Sequence, residues 1–266
     1  MPKWLIAIGR IFYAIGLIGI GVQHFIFANF IPVIVPAWPS WMPGRPFWAY
    51  AVGVALVAAG VAIIFNIKGR AVAVYTGVAF LILVVIGQIP VQLAASPWHL
   101  GVWTNAFKAL SLCGGAWVVA GSLEDRATNT DRARPFDRIL PVGRIFLPVM
   151  LIVFGSDHFV YSAFVAMIIP AWIPGKLFWT YFAGAALISG GAGMLFRVYP
   201  RLAALMSGIM MFLWVFLLHI PRAMADPRGS LGNEWTSVFE ALAYSGVAFI
   251  LAALPVSNPF SISSTK

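Results

Sequence analysis

Four ionisable residues stand inside otherwise apolar stretches in the second half of this chain: Asp157, His158, His219 and Glu240. In hydrocarbon each costs roughly a few kcal/mol unless it is paired or hydrated, so each requires a reason to be there. Imidazole beside carboxylate can move protons near neutral pH, because burial and neighbouring charge shift both groups toward the working range. A quinone head group requires that service, with a hydrogen-bond partner at its oxygens and a proton route to water. His158, His219, Trp235 and Arg222 are the candidate contacts for such a head group. Two histidines and two carboxylates are also a donor set for a metal, and His158 with His219 could ligate a haem. Another reading is structural: buried His–Asp and His–Glu pairs also hold membrane helices together by hydrogen bonds alone.

Depth brings these residues toward one level. At 1.5 Å per helical residue, His158 lies ~20 Å and His219 ~26 Å from the inner edge of their apolar runs, and Glu240 ~6 Å below the outer end of its own. In a core ~30 Å thick, all fall in roughly the outer third. The difference between the two histidines disfavours a shared haem. His99 and Glu234 read as solvated residues of outer loops, Tyr161 as an interfacial anchor, and Arg222 as a side chain snorkelling to lipid phosphate.

The elements that must carry these residues follow from composition. Of 266 residues, 61% are hydrophobic and 9% charged, and the mean hydropathy is +0.92. A soluble domain carries about 25% charged residues, so lipid must be the outer solvent here. The net charge of +9 is spread between apolar runs rather than clustered, which points away from nucleic acid. Cys113 is the only cysteine, so a dithiol pair or cysteine-held cluster is excluded. No haem, flavin or iron–sulfur motif is present.

The chain reads as a duplication. Gly9-Arg10-Ile11-Phe12 returns as Gly143-Arg144-Ile145-Phe146, His24-Phe25 as His158-Phe159, and Pro36-Ala37-Trp38 as Pro170-Ala171-Trp172. Ile89-Pro90 returns as Ile220-Pro221 and Trp103-Thr104 as Trp235-Thr236. Each copy holds four apolar runs near the ~20 residues a spanning helix needs. They are Leu5–Phe27, Phe47–Phe65, Ala71–Val91 and Trp103–Ala120, then Ile145–Phe164, Phe178–Phe196, Leu202–Ile220 and Thr236–Ala253. The fold class predicted is an all-α membrane protein of eight transmembrane helices, in two four-helix bundles repeated in parallel. The units are residues 1–121 and 141–266, joined by a polar linker, 122–140. The first run is a retained span and not a signal peptide, because its equivalent recurs mid-chain.

Twelve Lys and Arg fall on the side of the termini and linker, against five on the other (Arg45, Lys108, Lys176, Arg222, Arg228). Both termini are therefore expected in the cytoplasm. Trp38, Trp41, Trp98, Trp103, Trp172, Trp179 and Trp235 fall at outer ends as an interfacial belt. Glycines of the second runs, Gly53, Gly60, Gly184, Gly190 and Gly191, permit close helix contact. Aligning the copies sets Gln23 against Asp157, His24 against His158, Gln88 against His219 and Lys108 against Glu240. An active half would thus be the second, with Lys108 available to balance a carboxylate across the interface.

The runs Ser156-Asp157-His158-Phe159, Ile169-Pro170-Ala171-Trp172-Ile173-Pro174-Gly175, Leu218-His219-Ile220-Pro221-Arg222 and Glu234-Trp235-Thr236-Ser237 resemble the DoxX family of four-helix membrane proteins. The resemblance spans almost the whole chain as two units and is looser in the first. It implies a bacterial inner-membrane protein, with some relatives linked to quinone-coupled oxidoreduction and others resembling assembly factors. The expectation is a quinone-interacting subunit of a membrane redox system, surrounded by the lipid bilayer and served by a redox partner protein. The alternatives are a non-enzymatic assembly or stability factor and, third, a small-molecule permease.

Overall fold

The computed structural model describes residues 3–36, 43–123 and 139–255. Trp38, Trp41 and most of the polar linker lie outside the described residues. All regular elements among the described residues are helices. Six stretches are long and apolar enough to cross a membrane: Lys3–Phe27, Arg45–Ile64, Gly69–Ala95, Leu140–Val160, Pro200–Ala225 and Gly229–Ala253. The protein is an all-α, membrane-type, multi-helix chain, as the composition demands.

The helices are α1 (Lys3–Phe27), α2 (Arg45–Ile64), α3 (Gly69–Leu83), α4 (Ile89–Ala95), α5 (Thr104–Ser122) and α6 (Gly143–Val160). They continue as α7 (Ser162–Ile168), α8 (Lys176–Leu195), α9 (Pro200–Trp214), α10 (Ile220–Ala225) and α11 (Gly229–Ala253). A π turn, Val84–Gln88, joins α3 to α4, and a second, Val215–His219, joins α9 to α10. Each is followed by an Ile-Pro pair. Proline has no N–H to donate and crowds the preceding turn, so the widened π turn accommodates it without ending the helix. Left-handed residues start α3 and α9 alike, at Lys68 and Tyr199.

The long helices pack in chain order around a closed ring, α11 returning to lie along α1. Consequently α1 packs on α11 and α6 on α5, while α1 scarcely touches α5 and α6 scarcely touches α11. The first helix of each half therefore docks on the last helix of the other. Glycine makes this approach possible. A Cβ on Gly114 would stand 2.6 Å from the Gly143 carbonyl oxygen, and one on Gly143 2.7 Å from that of Gly114. Gly9 of α1 and Gly246 of α11 meet in the same way. The helices of the two halves therefore interlock through the glycine crossings.

Burial follows from that arrangement. Between Ser111 and Ala120, α5 is buried at every position, and α11 is buried from Ala243 to Ile250. Helices α2, α3, α8 and α9 instead present apolar side chains outward, among them Val54, Tyr75, Phe182 and Leu213. Without a hydrophobic driving force in lipid, close packing and polar contacts hold such inner helices together. Tyr13 donates to the Leu112 carbonyl at 2.7 Å, and Ser245 to that of Gly208 at 2.9 Å.

The two halves differ at the end of the helices opposite the start of α1. In the first, residues 28–36 fold inward and bury Phe30, Ile31, Val33 and Ile34. In the second, α6 breaks at Tyr161 and continues as α7, which packs on α8 and has no fully buried residue.

Candidate functional site

Glu240 is buried on α11 and forms an ion pair with Lys108 of α5, 2.8 Å away. The two occupy equivalent positions of the aligned halves, so this pair joins one half to the other. Tyr244, one turn along α11, donates its hydroxyl to the Lys108 carbonyl at 3.0 Å and stands 3.5 Å from the Glu240 carboxylate. His219, at the end of its π turn, lies within electrostatic reach of both Lys108 and Arg222. Arg222, one turn on in α10, forms a 2.5 Å ion pair with Glu234. His219 is thus flanked by two ion pairs.

The snorkelling role for Arg222 and the solvated-loop role for Glu234 are both corrected by that pair. The chain reaches it through a backbone irregularity. Ser230, Leu231 and Gly232 take left-handed conformations at the head of α11, a costly choice for non-glycine residues. Gln23 of α1 anchors the turn, its Nε2 donating to the Gly232 carbonyl at 2.9 Å and its Oε1 accepting from Thr236 at 3.1 Å. The regular turns that follow carry Glu234 and Trp235. Trp235 stacks on Phe239, with ring centroids 6.3 Å apart, and packs, as Ile220 does, against the cluster of Val215, Ala223, Val238 and Ala241.

Two polar atoms of this cluster are buried without a hydrogen-bond partner: Nδ1 of His219 and Oε2 of Glu234. Most buried polar atoms in native structures are paired, so each such atom is informative. The first half offers a direct contrast. Gln88, at the position equivalent to His219, is fully buried and satisfied. It donates to the carbonyls of Pro32 at 2.8 Å and Val33 at 3.2 Å, and accepts from Gln92 at 3.2 Å. The infolded loop closes the site in the first half, and α7 lies elsewhere in the second.

Asp157 and His158 are not part of this cluster. His158 hydrogen-bonds through Nδ1 to the Phe154 carbonyl of its own helix at 2.6 Å. His24 does the same with Ile20 at 2.8 Å. Each histidine also abuts a glycine of the next helix, Gly184 or Gly53. That geometry fits a helix-packing residue. Asp157 lies within electrostatic reach of His99 in the other half, and its Oδ1 is also buried without a partner. His99 stacks on Tyr161 at 5.1 Å, and the Tyr161 hydroxyl accepts from the Gly101 N–H at 3.4 Å. Among the described residues no hydrogen bond or ion pair links Asp157 or His158 to His219 or Glu240, and no group of three His, Cys, Asp or Glu side chains could hold a metal ion. The predicted foursome therefore divides into two places.

Sequence reasoning missed Glu234 as a site residue. Its signal lay in the alignment of the halves. Arg222 and Glu234 replace Val91 and Val102 together, as expected for two side chains that need each other.

Residues 147–256 match the model of a family described as a domain of unknown function, DUF8561. The match covers most of the second half, the one that carries the His219 cluster. No curated protein and no solved structure matches the chain.

Proposed function

We propose that this chain is a DoxX-like inner-membrane protein that binds a quinone-type head group beside His219, as a subunit of a membrane redox system. The observation that carries this reading is the buried, unpartnered Nδ1 of His219 at the position where Gln88 is satisfied by its own loop. An imidazole nitrogen there can donate to or accept from a ligand oxygen. Trp235 supplies an aromatic face on the neighbouring helix. The Lys108–Glu240 pair places an ammonium and a carboxylate near His219, with Lys108 within electrostatic reach of its imidazole. Roles in catalysis for Asp157 and His158 are not part of the proposal. Electrons are exchanged with a redox partner protein, since the chain carries no haem, flavin or iron–sulfur motif.

Eight spans in two parallel repeats, with both termini in the cytoplasm, complete the proposal. The matching π turns, the left-handed starts of α3 and α9 and the reciprocal glycine crossings support the repeat. The excess of Lys and Arg on the side of the termini supports the orientation.

The test is titration of purified protein in nanodiscs with a short-chain quinone analogue, for wild type and His219→Ala. Saturable binding that the substitution abolishes is the expected result, and identical titrations overturn the proposal. A non-enzymatic assembly or stability factor is a second reading, favoured by one observation: the Lys108–Glu240 pair satisfies itself and ties the halves together. That reading predicts a stoichiometric protein partner and full function in the His219→Ala variant.

A further inference from the structure

The ion pairs beside His219 leave a specific vacancy in hydrogen bonding. Oε1 of Glu234 accepts from Arg222 at 2.5 Å, whereas Oε2 is buried and has no partner. Nδ1 of His219 is in the same condition three residues from Arg222. These atoms differ in what they can use. An ionised carboxylate, as its ion pair with Arg222 requires, only accepts hydrogen bonds, while an imidazole nitrogen donates or accepts according to tautomer. A ligand that serves both must therefore bring a donor to Glu234.

A quinone cannot do so, because its two carbonyl oxygens are acceptors; a carbonyl facing Oε2 would set two acceptors against each other. A quinol carries two hydroxyls, each of which donates and accepts. One can donate to Oε2 of Glu234, and an oxygen of the same head group can pair with Nδ1 of His219. We infer that Glu234 is a ligand-binding residue and that the site selects the hydroxyl-bearing, reduced form of its head group. This rests on the proposed quinone-type site and adds the redox form that it recognises. Lys108 and Arg222 do not alter the requirement, since each already has a carboxylate partner.

The chemistry shared by all suitable ligands is a hydroxyl presented at membrane depth, which a phosphatidylglycerol head group also offers. Binding is therefore measured anaerobically by calorimetry in phosphatidylcholine nanodiscs, with decylubiquinol and decylubiquinone as probes. A second series uses nanodiscs that contain phosphatidylglycerol. Wild type is expected to bind the quinol at least about tenfold more tightly than the quinone, the effect of one hydrogen bond made or lost at a buried site. Glu234→Gln is expected to narrow or invert that ratio, because its amide donates to a carbonyl.

Equal affinities in wild type overturn the inference while leaving the quinone-type site standing. Failure of both probes to bind removes both claims. Loss of quinol binding in the phosphatidylglycerol discs overturns the inference in favour of a lipid head-group site. The wild-type ratio needs no substitution, so the test survives a variant that fails to fold.

Discussion

Removing one member of the Lys108–Glu240 pair should destabilise the protein far more than removing both. The pair is held at 2.8 Å, with side chains 15% and 3% exposed, so water screens it little. Truncating Lys108 leaves a buried carboxylate with the Tyr244 hydroxyl 3.5 Å away and its ion-pair partner gone. Loss of one partner from a buried pair costs about 3–5 kcal/mol, whereas an apolar pair of similar volume is about neutral. At about 1.4 kcal/mol per tenfold, Lys108→Met or Glu240→Leu should each shift the folding equilibrium by about two to three and a half orders of magnitude. The double variant should return close to wild type. Reversible unfolding in mixed micelles, followed by tryptophan fluorescence, closes the double-mutant cycle. Single variants within about 0.5 kcal/mol of wild type, or strictly additive effects, would refute the buried cross-half pair.

Asp157→Gln imitates Gln23 at the equivalent position and supplies a donor in place of the unpartnered Oδ1. It should stabilise the fold by about 1 kcal/mol, the lower end of the cost of an unmet buried polar atom; a lower melting temperature shows that the Asp157 carboxylate is not an unmet group. Gly184→Leu places side-chain atoms where a Cβ alone would stand 2.8 Å from the His158 Cβ. Overpacking of this kind costs about 1–3 kcal/mol, and the same unfolding assay should register it, unchanged stability showing that α6 and α8 do not meet there. Reporter fusions at both ends test the orientation: cytoplasmic activity at both is expected, and periplasmic activity at either reverses it.

Much of the architecture was legible because lipid leaves few choices. A chain this apolar must be helical, and most of the expected runs coincide with helices to within a few residues, though the fifth breaks at Tyr161 and the helix of the eighth begins earlier, at Gly229. The interlocked packing was not legible. It depends on Gly114 and Gly246, which in a single sequence look like any glycines of a membrane helix. The interrupted head of α11 was hidden for a different reason: Ser230 and Leu231 give no sign of left-handed backbone, and only their contact with Gln23 and its neighbours shows why the chain turns there.

For the site, counting residues along a helix estimates depth but not azimuth. Residues at one level can still face different neighbours around a ring of helices. Hence Asp157 and His158, on α6, fell beside His99 and α8, while Glu240 paired with Lys108, within electrostatic reach of His219. Comparing the halves position by position holds the stronger signal, one that depth alone passed over. Val91 and Val102 against Arg222 and Glu234 mark a charged pair, and Gln88 against His219 marks where a satisfied amide became an unpartnered imidazole.

The state of that imidazole tests the account most directly. Nitrogen-15 NMR of histidine-labelled protein in nanodiscs, with His219→Gln to assign the signal, reads each ring nitrogen separately. The account predicts that a saturating quinol analogue moves the His219 Nδ1 resonance and leaves those of His24 and His158, already bonded to Ile20 and Phe154, in place. An His219 resonance unmoved by the ligand would contradict it.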